Sequence, residues 1–276
     1  MVNQKAVYFA KNMADTMFQL KTTSNLKICG GCTQIKELPS TSLIIRNISD
    51  FKTIDRKERY MDLGSAVTLS QILELGSKRI PAVLYEIINS IANPFIRNIA
   101  TIGGNICATN MRYTLFAPLL AMDARLELKS QAELVNVPIM QFDGIPAGFM
   151  LSKIRVPLNE WDVTVFKRIG PANKINDNSA SFVFLANTQK GFLTDLRIAF
   201  CGVVSFRNRE LENILIGARL PLSKRDIVNM LEQAEKIYDE ELPVNLMSQE
   251  LPEESLLKIL KNSFLNLLSY SLEQLT

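Results

Sequence analysis

Ile96-Arg97-Asn98-Ile99-Ala100-Thr101-Ile102-Gly103-Gly104-Asn105-Ile106 decides how this chain is read. The run sets two adjacent glycines among three side chains able to hydrogen-bond: Asn98, Thr101 and Asn105. Upstream, Leu26-Lys27-Ile28-Cys29-Gly30-Gly31-Cys32-Thr33 carries a second glycine pair at the end of a short strand-like run. Glycine has no Cβ, so such a pair can bring bare N–H groups close to a phosphate. Either pair alone is an ordinary turn signal. Two in one chain suit the pyrophosphate of a dinucleotide. Neither stretch has the Walker spacing or the spaced-glycine Rossmann fingerprint, so a site of the Rossmann kind is not predicted.

The rest of the chain limits what chemistry can accompany these turns. There is no histidine among the 276 residues, which excludes Ser-His-Asp and Cys-His machinery and every histidine metal site. Any redox or group-transfer chemistry is therefore expected from a cofactor. Cys29 and Cys32 form a Cys-x-x-Cys, yet only Cys107 and Cys201 remain as further soft ligands, too few for a zinc or iron–sulfur site read from spacing. They read as incidental thiols beside the glycines, and no metal site is predicted. The net charge of +3 does not point to nucleic acid, and residues 52–59, the densest basic cluster, also contain Asp55 and Glu58. No apolar run reaches the ~18–20 residues that cross a bilayer, and the first residues show no signal-peptide core. Four cysteines in a chain of this length fit a reducing compartment, so a cytoplasmic location is expected.

Apolar spacing predicts a helix over residues 6–20, followed by strands at 26–28, 43–45 and 60–64. Thr68 and Gln71 have the spacing of a capping box and open a helix; another spans 82–91 and stops before Asn93-Pro94. Strands are read at 125–129, 153–157, 182–186 and 196–206, and helices from Ser223 onward. The polar, Gly/Pro-containing stretch Gly170-Pro171-Ala172-Asn173, then Asn176-Asp177-Asn178, marks the best boundary. The expectation is an α+β protein of two domains, 1–174 and 175–276.

With these residues in view, the run from Ile96 to Ile106 closely resembles the flavin motif of the FAD-binding (medium) subunit of molybdenum hydroxylases, the xanthine dehydrogenase and carbon monoxide dehydrogenase type. Cys29-Gly30-Gly31-Cys32-Thr33 resembles that family's Ala-Gly-Gly-Thr-Asp turn. Residues 118–124, 153–157, 166–168 and 195–200 add individually weak matches along nearly the whole chain. The resemblance implies a two-subdomain FAD-binding domain of the p-cresol methylhydroxylase type, followed by a smaller α+β C-terminal domain. It also implies FAD contacts at Leu26, Lys27, Ile28, Cys29, Gly30, Gly31, Cys32, Thr33, Thr101, Ile102, Gly103, Gly104, Asn105, Leu151 and Lys167. Glycine amides would meet the pyrophosphate, Ile102 and Leu151 would wall a ring, and Lys167 would place positive charge near the cofactor. Gly103→Val or Gly104→Val should then remove flavin more than fold.

As the resemblance implies it, the function is electron relay. A [2Fe–2S] iron–sulfur subunit fed by a molybdenum-cofactor subunit would deliver electrons to FAD here, and NAD or another acceptor would take them. The chain departs from the family pattern at Thr33 and around Tyr113-Thr114-Leu115, where relatives carry aspartate, and near Leu151, where an acidic residue is absent. Two other readings stay open: a stand-alone flavin-dependent reductase of the same fold, and a flavin-free assembly subunit.

Overall fold

Asn12 separates a strand from a helix where apolar spacing alone predicts one helix over residues 6–20. The computed structural model describes residues 5–171, 174–247 and 252–276. In it the extended Asn12 accepts the Asp15 amide at 2.9 Å, so α1 (Met13–Thr22) starts there, after β1 (Ala6–Phe9). The segment Ala-Val-Tyr-Phe suits a strand, being rich in β-branched and aromatic side chains. It pairs in parallel with a strand further on.

That neighbour belongs to the first of two units into which the chain divides: everything up to Cys107 together with Asp123–Leu158. Following β1 come β2 (Lys27–Cys29) and β3 (Thr41–Ile44), giving a parallel sheet in the order β1-β3-β2. Met17 of α1 packs on Leu43, Ile45, Phe51 and Met150 to form its core. A second, antiparallel sheet contains β4 (Ile54–Arg56), β5 (Tyr60–Gly64), β6 (Arg125–Lys129), β7 (Leu134–Pro138) and β8 (Met150–Pro157), in the order β4-β5-β8-β6-β7. These sheets are the two subdomains that the resemblance implied. Between β5 and β6 run α2 (Leu69–Glu74), α3 (Ala82–Ser90), α4 (Pro94–Arg97) and α5 (Ile102–Ile106). The predicted capping box is present: Thr68 Oγ1 accepts the Gln71 amide and Gln71 Oε1 accepts the Thr68 amide.

The second unit joins Ala108–Met122 to Asn159–Thr276. It contains α6 (Phe116–Ala121), then β9 (Val163–Ile169), β10 (Ala180–Gln189), β11 (Phe192–Cys201) and β12 (Ser205–Phe206), an antiparallel sheet in the order β12-β11-β10-β9. α7 (Arg209–Asn213), α8 (Lys224–Asn245) and α9 (Glu254–Glu273) complete it. Phe264 of α9 sits among Phe182, Phe200, Phe206 and Tyr238, with ring centroids 5.1 to 6.3 Å away. Each such aromatic pair is worth about 0.5–1.5 kcal/mol beyond its buried area. The buried Arg207 pairs with Glu212 at 2.8 Å and also donates to the Leu120 carbonyl, which ties α6 to this sheet.

The division expected at residues 174 and 175 falls between β9 and β10. These strands are hydrogen-bonded side by side from Ile169↔Ala180 to Val163↔Ala186, so a hairpin spans the position. Gly170, at φ +99°, begins this connection; Ala172 and Asn173 lie outside the described residues. A Gly/Pro/Asn stretch signals a tight turn as readily as a linker. Among the described residues no helix is long and apolar enough to cross a membrane.

Candidate cofactor site

Cys29 is where the parallel ladder stops. The Ile45 amide donates to its carbonyl at 3.0 Å, and the chain then bends through Gly30 and Gly31. Cys32 follows in the left-handed region at φ +55°, its Sγ 3.7 Å from the Gly30 carbonyl. Among the described residues the amides of Gly30, Gly31, Cys32 and Thr33 have no acceptor. Four consecutive main-chain donors thus remain available at the C-terminal end of β2. Leu26 and Ile28 pack against the core of the parallel sheet while Lys27 is exposed, so their side chains anchor the strand that presents these amides.

The second glycine pair is built differently. Thr101 is an N-cap, not part of an open turn: its Oγ1 accepts the Gly104 amide at 3.1 Å and its carbonyl accepts that of Asn105. The Ile102 amide goes to the Val67 carbonyl and the Gly103 amide to the Ser65 carbonyl, both at 3.0 Å. The amides of residues 102–105 are therefore engaged within the protein. Those of both glycines, expected at a pyrophosphate, go to Ser65 and Thr101 instead. Ile102 is completely buried and supports the turn from beneath, so it offers no wall to a ring. Gly104, in contrast, is exposed, and a Cβ there would meet only Thr101 Oγ1 at 3.0 Å.

The two turns touch through their backbones. A Cβ on Gly31 would stand 1.9 Å from the Ile99 carbonyl oxygen, and one on Gly30 would stand 2.7 Å from Thr101 Oγ1. Arg97 fixes the approach to the second turn: its Nη1 binds the carbonyls of Asn89, Ile91 and Ala92 at the end of α3. Arg97 and Ser65 were not singled out in the sequence. Arg97 binds main-chain carbonyls, which no side-chain spacing marks, and Ser65 lies far from Gly103 along the chain. Ser65 Oγ is buried without a partner among the described residues, beside Gly103.

Leu151 lies in β8 opposite Leu128 and is 4% exposed. Lys167 stands in the second unit, on β9, with its Nζ 5.6 Å from the Tyr270 ring centroid. It is not among the residues that the first unit brings together. A groove of about 920 Å³ in the first unit is lined by Asn12, Met13, Asp50, Asp62, Lys129 and Lys153 among others, and by neither glycine pair. The chemistry of the free amides lies outside it.

Amides without an acceptor, beside a glycine-bearing second turn, are groups that can donate to an anion. Residues 3–159 match the family described as "FAD binding domain in molybdopterin dehydrogenase". The chain belongs to this family. It is an oxidoreductase component, an FAD-binding subunit of the molybdenum hydroxylase type, and its cofactor is FAD. The xanthine dehydrogenase FAD-binding subunit of Escherichia coli O157:H7 is 30% identical over 217 residues, covering 78% of this chain and 69% of that one. Among solved structures, the Cu,Mo-CO dehydrogenase in its cyanide-inactivated form superposes with a TM-score of 0.80 at 18% identity, covering 98% of this chain and 97% of that one. Carbon monoxide dehydrogenase from Hydrogenophaga pseudoflava gives 0.79 at 17%, covering 99% and 97%. At such identities the two structures establish the fold, α+β as read from the sequence.

Proposed function

We propose that residues 26–33 and 101–105 hold the diphosphate of FAD, with the amides of Gly30, Gly31, Cys32 and Thr33 as donors. The observation that carries this reading is the row of four unsatisfied amides, held in place by backbone contact with the second turn. A hydrogen bond from each to a phosphate oxygen contributes about 1.5–3 kcal/mol, because the acceptor is charged. The open face of Gly104 lets the cofactor approach the second turn closely. Leu151 is the candidate apolar support.

Bound there, FAD would supply exchange of single electrons with an iron–sulfur cluster and of a hydride with a nicotinamide. The chain itself binds and orients; with no histidine, it has no ordinary side chain poised to move protons near neutrality. In this reading a [2Fe–2S] subunit donates electrons, a molybdenum-cofactor subunit oxidises the substrate, and NAD is the acceptor. All four cysteines are free, which suits a reducing, cytoplasmic setting. The binding is taken as noncovalent, and with no histidine the histidyl–flavin link is excluded. Acid precipitation of the yellow native protein should leave equimolar FAD in the supernatant. Colour retained by the pellet contradicts noncovalent binding, and a colourless native protein overturns the placement in favour of a flavin-free assembly subunit.

A further inference from the structure

Cys29 and Cys32 are the motif that electron relay leaves unused. They bracket Gly30 and Gly31, so both thiols belong to the turn with the free amides. Cys29 ends β2, is 2% exposed, and its Sγ lies 3.8 Å from the Lys27 carbonyl. Cys32 is partly exposed, with its Sγ on the Gly30 carbonyl. The two thiols also act on each other: burial first, and then the neighbouring Cys32, pushes the Cys29 thiol above its ordinary value.

We propose that Cys29 and Cys32 are a thiol–disulfide site that sets how tightly this turn holds FAD. This rests on the diphosphate placement proposed above. Hydrogen peroxide is the oxidant, and Cys32, the more exposed thiol, meets it first. A sulfur–oxygen bond forms on Cys32 as the O–O bond breaks, giving a sulfenic acid and one water. The Cys29 thiol then attacks that sulfur. The S–S bond forms, the S–O bond breaks, and the hydroxyl leaves with the thiol proton as a second water. The two electrons lost by the sulfurs have reduced the peroxide.

The geometry gives this bond its consequence. Both sulfurs must leave the carbonyls they now contact, and the left-handed Cys32 must move with them. On one side the turn cannot yield, because the Ile99 carbonyl fills the space where a Gly31 Cβ would lie. It must therefore move away from Ile99 and Thr101, taking its amides out of register with the second turn. The expected result is an FAD affinity lower by about tenfold or more, the scale of ordinary coupling between linked events.

The test uses the whole chain, reduced and desalted, then treated with hydrogen peroxide. Trypsin should release residues 28–36 as one peptide containing both cysteines. The proposal expects this peptide to become two hydrogens lighter and to refuse alkylation, while FAD elutes away on gel filtration. Dithiothreitol should reverse both changes. Cys201, buried and with its thiol pushed up to about 12, is the internal control and should stay reduced. Cys32→Ser should keep whatever FAD it binds when peroxide is added; titration of reduced and oxidised wild-type apoprotein with FAD makes the same comparison without a variant. A peptide that stays fully alkylatable overturns the proposal, as does a disulfide that leaves FAD affinity unchanged. A reduced chain that takes up no FAD overturns the cofactor placement and the proposed consequence, while the peptide mass still reports separately on the disulfide.

Discussion

Gly31 lies against the main chain of Ile99: a Cβ on Gly31 would stand 1.9 Å from the Ile99 carbonyl oxygen and 2.7 Å from its carbon. The first glycine pair is thus required by contact between the two turns, before any ligand is considered. A rigid carbonyl cannot give way as a flexible side chain does, so Gly31→Ala must push the turns apart. Overpacking of this kind costs about 1–3 kcal/mol. We predict that Gly31→Ala lowers the midpoint of urea unfolding and loses FAD together. Unchanged stability with normal FAD content would contradict the contact.

The second pair is asymmetric, and its two glycines should respond differently. A Cβ on Gly103 would lie 2.5 Å from the Ser65 carbonyl oxygen and 2.8 Å from Ser65 Cβ, whereas one on Gly104 meets only the Thr101 hydroxyl. Gly103→Val should therefore unfold the first unit along with losing flavin. Gly104→Val should keep its circular dichroism and lose FAD. The sequence alone treats both substitutions as selective for flavin, and the Ser65 contact is what separates them. Equal damage to folding at both positions would mean that the exposed face of Gly104 has no cofactor role.

Local signals explain what was legible in the sequence. The Thr68–Gln71 capping box and the strand at 60–64 formed as read, because each is specified by residues a few positions apart. Apolar spacing predicts one helix over 6–20 because it does not show that Asn12 caps and that residues 6–9 find a parallel partner in β3. Both glycine pairs were visible. Their division of labour was not, because the acceptors that engage the second turn come from Ser65 and Val67, residues that no local spacing connects to it. Lys167 likewise entered by resemblance, and its contact with Tyr270 depends on the packing of α9.

Cys201 supplies a pH dependence with a definite sign. Burial is the largest cause that pushes its thiol from 9.0 to about 12 in the folded chain, partly offset by Ser205 and by the positive charges of Arg112 and Arg207. Below pH 9 the thiol keeps its proton in both folded and unfolded chains, and its contribution is fully present. Between pH 9 and about 12 the unfolded chain releases the proton while the folded chain holds it. Stability therefore falls as pH rises, by about 1.4 kcal/mol per pH unit from this group at most. Urea melts of wild type and Cys201→Ala across this range should converge as pH rises, since the variant lacks the penalty. Parallel curves would show that the thiol is not shielded in the native state.

Among the described residues no cluster of three or more cysteine or acidic side chains could hold a metal, and the chain has no histidine. In the relay proposed above, electrons reach FAD from an iron–sulfur partner or from a nicotinamide. If the free amides of residues 30–33 position FAD as proposed, the purified chain should pass electrons from NADH to an artificial dye. It should show little oxidation of organic substrates, because in the proposed relay that step belongs to the molybdenum-cofactor subunit. Pull-down from the native cell should recover an iron–sulfur subunit and a molybdenum subunit. Gly104→Val should abolish the dye reaction while the folded chain still recovers both partners, which separates loss of cofactor from loss of assembly. Efficient turnover of an organic substrate by the chain alone would replace the relay with a stand-alone reductase.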